Sequence, residues 1–104
     1  MKTVNRGWLR RMVKAGRIVA VSACHFDDLH GEDRGLPQEM PVKLWADYPD
    51  WHDRQEGTIY LHDGDFKSKS GCCYQNANGT ITLIVHSNSN YDLRLLPDEQ
   101  KAAG

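Results

Sequence analysis

Long apolar runs, paired metal-ligand spacings and a cysteine framework are all missing from this sequence, and each gap removes a class of protein. No hydrophobic stretch approaches the roughly 20 residues that cross a bilayer, so a membrane-embedded role is not expected. The cysteines number three, Cys24, Cys72 and Cys73. An odd count does not build a disulfide framework, and neighbours in a strand point to opposite faces, so at most one of Cys72 and Cys73 joins Cys24 in a core. The basic N-terminus is not followed by an apolar stretch with a small-residue cleavage site. Free thiols in a cytoplasmic protein are the expectation.

Catalytic signatures are missing as well. Neither Cys-x-x-Cys nor His-Glu-x-x-His occurs, and there is no Gly-rich phosphate loop, Gly-x-Ser-x-Gly elbow or Rossmann fingerprint. The densest set of donors is Cys24-His25-Phe26-Asp27-Asp28-Leu29-His30. A metal needs three or four of these to converge, and the spacing instead describes a strand leaving the core into a solvated loop. No metal and no other cofactor is expected. Cys72 or Cys73 with His86 is the one nucleophile and base pairing on neighbouring expected strands, and no third residue orients the base. Asp63 and Asp65, like Asp27 and Asp28, border Gly-containing turns and read as turn formers. An enzyme is therefore not expected.

What is present is an ordinary globular composition, 39% hydrophobic and 26% charged over 104 residues, enough for one modest core. A single α+β domain over residues 1–96 is expected, with a small polar tail at 97–104 that frays. Asn5 caps a short amphipathic helix in which Trp8, Leu9, Met12 and Val13 share one side, and Gly16 stops it. Arg17–Phe26 reads as a strand, with Ile18, Ala20, Cys24 and Phe26 facing one way and Val19, Val21 and Ala23 the other. Gly31, Gly35, Pro37 and Pro41 mark 27–41 as a long loop, and Val42–Trp45 as a short strand. From Thr58 to Leu96 the alternation is clearer. Ile59 and Leu61, then Ile81, Leu83 and Val85, then Tyr91, Leu93 and Leu95 line one face, with turns at Asp63-Gly64, Asn76–Gly79 and Ser87–Asn90. The helix should pack on an antiparallel meander or small open barrel of five or six strands.

Charge is segregated although the net value is only −1. Residues 1–17 contain six cations and no acid. Residues 27–65 contain eleven acids against Arg34, Lys43 and Arg54. The two regions either attract one another or serve different partners.

Each region suggests a surface. On the helix, Arg6, Arg10, Lys14 and Arg17 line the side opposite Trp8, with Arg11 at its edge, either as a solvated face or as a track for a phosphate backbone. The run Thr3-Val4-Asn5-Arg6-Gly7-Trp8-Leu9-Arg10-Arg11-Met12-Val13-Lys14-Ala15-Gly16-Arg17-Ile18-Val19-Ala20-Val21 resembles the recognition helix and following strand of excisionase-type winged helices, about a fifth of the chain. That resemblance implies nucleic-acid binding through these cations. In the acidic region Trp45, Tyr48, Trp51 and His52 stand among Asp47, Asp50 and Asp53. They either cap the end of the sheet or form a binding surface, because aromatics anchor interfaces and acids complement a basic target. In size and charge layout the chain is similar to small phage and mobile-element proteins that inhibit host defence, anti-CRISPR proteins included. This resemblance implies a non-enzymatic inhibitor that occludes a host protein through Trp45, Asp47, Tyr48, Asp50, Trp51 and Asp53. The oligomeric state is left open.

Overall fold

The computed structural model describes residues 2–25, 33–67, 73–86 and 89–97. The Asp27, Asp28 and His30 end of the donor cluster, Cys72, and the tail beyond Pro97 lie outside them. One helix, α1 (Arg6–Lys14), packs on a seven-stranded sheet: β1 (Lys2–Thr3), β2 (Ile18–His25), β3 (Asp33–Leu44), β4 (Ile59–Leu61), β5 (Cys73–Gln75), β6 (Ile81–His86) and β7 (Ser89–Leu95). The strand order is β1-β5-β6-β7-β2-β3-β4, open at both ends. The α+β expectation holds. All neighbours are antiparallel except β3 and β4, which run parallel from Val42 beside Ile59 to Leu44 beside Leu61.

The helix forms where its local signals place it. Asn5 Oδ1 accepts the Trp8 N–H at 2.9 Å. At the other end Gly16 adopts φ 76°, which lets Gly16 N–H reach the Val13 carbonyl and Arg17 N–H the Met12 carbonyl. This is the glycine-terminated helix end in which a left-handed residue satisfies the last carbonyls. Leu9 and Val13 are fully buried, with Trp8 and Met12 packed at the margin of the same cluster. They belong to one cluster with Ile18, Ala20, Ile81, Leu83 and Leu93 of the sheet and with Val42, Leu44, Leu61 and Phe66, and α1 lies against β3 and the Asp63–Phe66 turn.

The sheet thus has seven strands where five or six antiparallel ones were expected, and one pair is parallel; two further features differ from the sequence expectation. The stretch 33–41 is strand rather than loop. Between Asp33 and Met40, β3 has only β2 beside it, and the register jumps from Gly35 opposite Ser22 to Met40 opposite Ala20, so Pro37 falls in an irregularity where its missing N–H removes no ladder bond. The second is a bulge in β2. Ala20 lies opposite Leu93 and Ser22 opposite Asp92, so Val21 is an extra residue. The insertion reverses the alternation and places Ala23 in the row of Tyr91 and Leu83, on the side of Ile18 and Ala20.

The bulge also brings Ser22 into a polar chain on the opposite face. Asn76 Nδ2 donates to Thr82 Oγ1 at 2.8 Å, Thr82 Oγ1 donates to Asp92 Oδ1 at 2.6 Å, and Ser22 Oγ donates to Asp92 Oδ2 at 3.0 Å. Thr82 is only 4% exposed, so its hydroxyl depends on these partners. Asp92→Ala strands that donor and should cost about 1–3 kcal/mol. Arg94→Ala, which breaks only the exposed pair with Glu39, should cost less than about 1 kcal/mol. Urea unfolding midpoints compare the two, and an Asp92 variant no less stable than the Arg94 variant would contradict the role given to the chain.

Candidate functional site

Between β3 and β4 the chain crosses one end of the sheet in two short 3-10 turns, Trp45–Asp47 and Trp51–Asp53. The parallel pairing of β3 with β4 imposes this crossover, since a strand cannot return parallel through a tight hairpin. The six residues assigned to a protein-binding surface all lie here, and the fold divides them into a base and a tip.

The base is built on Trp45 and Tyr48. Tyr60 packs edge-on to both, at centroid separations of 5.9 and 5.7 Å, and His62 lies 5.1 Å from Trp45. Arg54 closes the arrangement: its guanidinium carbon is 3.1 Å from the Trp45 ring centroid, while Nε donates to the Tyr48 carbonyl and Nη2 to the Pro49 carbonyl. The Tyr60 hydroxyl accepts the Gln55 N–H at 2.8 Å. Trp45 and Tyr48 are thus half-buried and packed on Tyr60, with His62 and Arg54 against Trp45.

The tip is different. Asp50 Oδ1 accepts the His52 N–H at 3.0 Å and starts the second turn. That turn projects Trp51 outward, 69% exposed, with its ring stacked on His52 at 3.7 Å. Asp50 and Asp53 flank it, both exposed. Asp47, by contrast, faces α1 and holds Lys14 at 3.1 Å.

The cations of α1 are distributed just as unevenly. Arg10 Nε donates to Asp63 at 2.9 Å. That bond, followed by the charges of Arg10, Lys67 and Lys14, outweighs partial desolvation and holds the Asp63 carboxyl below its ordinary range. Arg17 donates to the Leu96 carbonyl through Nε and Nη2 and to Met12 Sδ through Nη1. Arg6 is half-buried and Arg11 exposed. The oppositely charged regions of the sequence thus attract one another, with Arg10 and Lys14 as the links.

Other places for chemistry are poor ones. Burial pushes the Cys73 thiol up to about 11, against a small opposing pull from Arg6. A neutral thiol in the core is the reverse of an activated nucleophile. Among the described residues no three His, Cys, Asp or Glu side chains are grouped to hold a metal. A concavity of about 490 Å³ lies on the β2, β3 and 55–58 surface, where Glu39, Gln55, Glu56 and Thr58 surround Val19 and Pro41. Its lining has no histidine, cysteine or lysine. No helix is long and apolar enough to cross a membrane among the described residues.

Sequence reasoning missed Arg54, His62 and Asp63. Arg54 was visible only as a lone cation in an acidic stretch, and the partners of His62 and Asp63 come from distant segments.

Two measurements test these electrostatics. Because the folded-state pKa of Cys73 exceeds the ordinary 9.0, the unfolded chain loses that proton first, so stability should fall as pH rises from 9 toward 11. Cys73→Ala should remove this part of the loss, leaving the part that Tyr91, also raised by burial and then by Asp65, adds at higher pH. Alkaline urea titrations of the two proteins would show it, and identical pH dependence would refute it. Asp63 acts in the opposite direction: its lowered pKa helps stability above the carboxylate range and ceases to help as pH falls through it. Lys14→Ala and Arg10→Ala should each cost less than about 1 kcal/mol by the same measurement, as exposed pairs do. Larger losses would mean that these pairs hold the helix in place.

Comparison of the chain with protein-family models, curated proteins and solved structures gives no match, so the chemistry of the loop is read from its own residues.

Proposed function

We propose that this is a non-enzymatic binding protein that acts in the cytoplasm and occludes a host protein through its acidic, aromatic loop, in the manner of small phage or mobile-element inhibitors of host defence. The observation that carries the proposal is Trp51, the large apolar side chain exposed among the described residues. Leaving an indole in water gains the fold nothing, and tryptophan is among the residues that most often dominate binding energy at interfaces. Its setting suits that task. The packed base of Trp45, Tyr48, Tyr60 and Arg54 holds the loop, so little ordering entropy is left to spend on binding. The flanking Asp50 and Asp53 supply a rim that attracts a basic target.

The second reading, nucleic-acid binding along α1 by Arg6, Arg10, Arg11, Lys14 and Arg17, is less well supported. Arg10 and Lys14 already hold Asp63 and Asp47, and Arg17 is bonded to the Leu96 carbonyl. A phosphate backbone would have to displace carboxylates and would meet their negative charge beside the helix.

A partner is first isolated by pull-down from host lysate, and its affinity is then measured against variants. Trp51→Ala should cost about 2 kcal/mol or more of binding. Its effect on stability should stay within about 0.5 kcal/mol, as for other surface changes. Asp50→Asn with Asp53→Asn should slow association and flatten its salt dependence. A Trp51→Ala protein that melts much earlier while its folded fraction binds normally would place Trp51 in the fold and reject the loop as the interface. Steeply salt-dependent binding to duplex DNA, lost in Arg10→Glu with Lys14→Glu, would favour the second reading.

A further inference from the structure

The two tryptophans of the loop lie in the same acidic stretch and in opposite situations. Trp45 carries a guanidinium on its ring, that of Arg54, which also donates to two carbonyls. Trp51 presents an indole stacked on His52 and 69% exposed, and the only cation between Lys43 and Lys67 is Arg54, which is turned away toward Trp45. Along the chain about Trp51 the exposed charged residues are Asp50, Asp53 and, further on, Glu56, while the lysines that reach the loop are held at its base, Lys43 over the Tyr48 ring and Lys14 on Asp47.

We propose that Trp51 is the seat of an arginine from a partner protein, its guanidinium stacked on the indole and donating to Asp50 and Asp53. This deepens the reading of the loop as a binding surface and rests on it. The indole is the feature that carries the inference, since it offers the strongest of the aromatic faces to a cation. The charges select the occupant. An apolar partner closing over Trp51 would strip water from Asp50 and Asp53 without replacing it, whereas a guanidinium satisfies both carboxylates through its fork of donors. Arginine is preferred to lysine because its planar, weakly hydrated head stacks and pairs at once, while an ammonium is a compact and strongly hydrated point charge.

The test uses the full chain and a six-residue arginine peptide, blocked at both ends, with hexalysine and a neutral hexapeptide as comparisons, by calorimetry at two salt concentrations. The arginine peptide should bind several-fold tighter than the lysine peptide. Trp51→Ala should weaken it by about tenfold, and Trp51→Phe should recover part of the loss because a ring face is kept. Asp50→Asn with Asp53→Asn should weaken both cationic peptides and reduce their salt dependence. Equal binding of the two cationic peptides, unchanged by Trp51→Ala, would overturn the arginine seat and leave only nonspecific attraction to acids. If an isolated partner needs Trp51 but the arginine peptide does not bind, the loop is the interface and the occupant is wrong. If neither responds to Trp51→Ala in a folded protein, the loop reading fails as well. Self-association lost in both Trp51→Ala and Arg11→Glu, seen by sedimentation, would put a second copy in the seat and overturn the proposal of a separate partner.

Discussion

A slip of one residue between β6 and β7 would turn one of the two strands over, driving Thr82 or Asp92 into the apolar layer and Leu83 or Leu93 out of it, because side chains alternate along each strand. The sheet is protected from that slip on both faces. On one side Ile81, Leu83 and Leu93 are buried in the apolar cluster to which α1 contributes Leu9 and Val13. On the other, Asn76, Thr82, Asp92 and Ser22 form a chain of hydrogen bonds that exists only in the observed register. The bulge at Val21 lets β2 serve both. It keeps Ile18, Ala20 and Ala23 on the buried side while delivering Ser22 to Asp92. A buried polar group fully satisfied in one pairing and stranded in the next discriminates between pairings more sharply than apolar contacts, which tolerate exchange.

With the sheet fixed, the segregated charges find their places. The basic helix and the acidic crossover are both at the β3 and β4 end, and Arg10 and Lys14 reach across to Asp63 and Asp47. These pairs are partly exposed, so they align the two regions more than they stabilise them. Their consequence for function is a subtraction. The helix commits Arg10 and Lys14, and their partners Asp63, just beyond β4, and Asp47, in the crossover, are compensated, whereas Asp50 and Asp53 beside Trp51 have no ion pair among those found in the described residues.

Elements whose causes are local were readable in the sequence. Asn5 and Gly16 mark the helix by backbone geometry that neighbouring residues decide, and the Asn76–Gly79 turn joins β5 to β6 for the same reason, with Gly79 at φ 91°. The alternation of Ile59 and Leu61 and of Tyr91, Leu93 and Leu95 matched the buried face. Elements caused by distant segments were not readable. β3 passes through Gly35, Pro37 and Pro41, residues that signal a loop unless one knows that this part of the strand has a single neighbour and that its register jumps between Gly35 and Met40. β1 is two residues long and exists because β5 is beside it. At the candidate site the loop was identifiable from its composition, but its division into a packed base and an exposed tip was not. Trp45 and Trp51 look alike in sequence, and only the positions of Tyr60, His62 and Arg54 separate them.

The pairing of β2 with β7 joins Ile18 to Leu95 and His25 to Ser89, residues that are far apart along the chain. On a ribosome, which releases the chain from its N-terminus, α1 and β2 emerge long before the strand that must lie beside them. Until β7 follows, β2 lacks one of its two neighbours, and the apolar cluster that takes in Leu9 and Val13 is incomplete. The pairings β2–β3, β5–β6 and β6–β7 are short-range and close soonest once made, whereas joining β2 to β7 requires closing a long loop. The β2–β7 seam, which unites two locally paired halves, is thus the late step, and until it closes β2 and β7 each keep an edge open to wrong pairing.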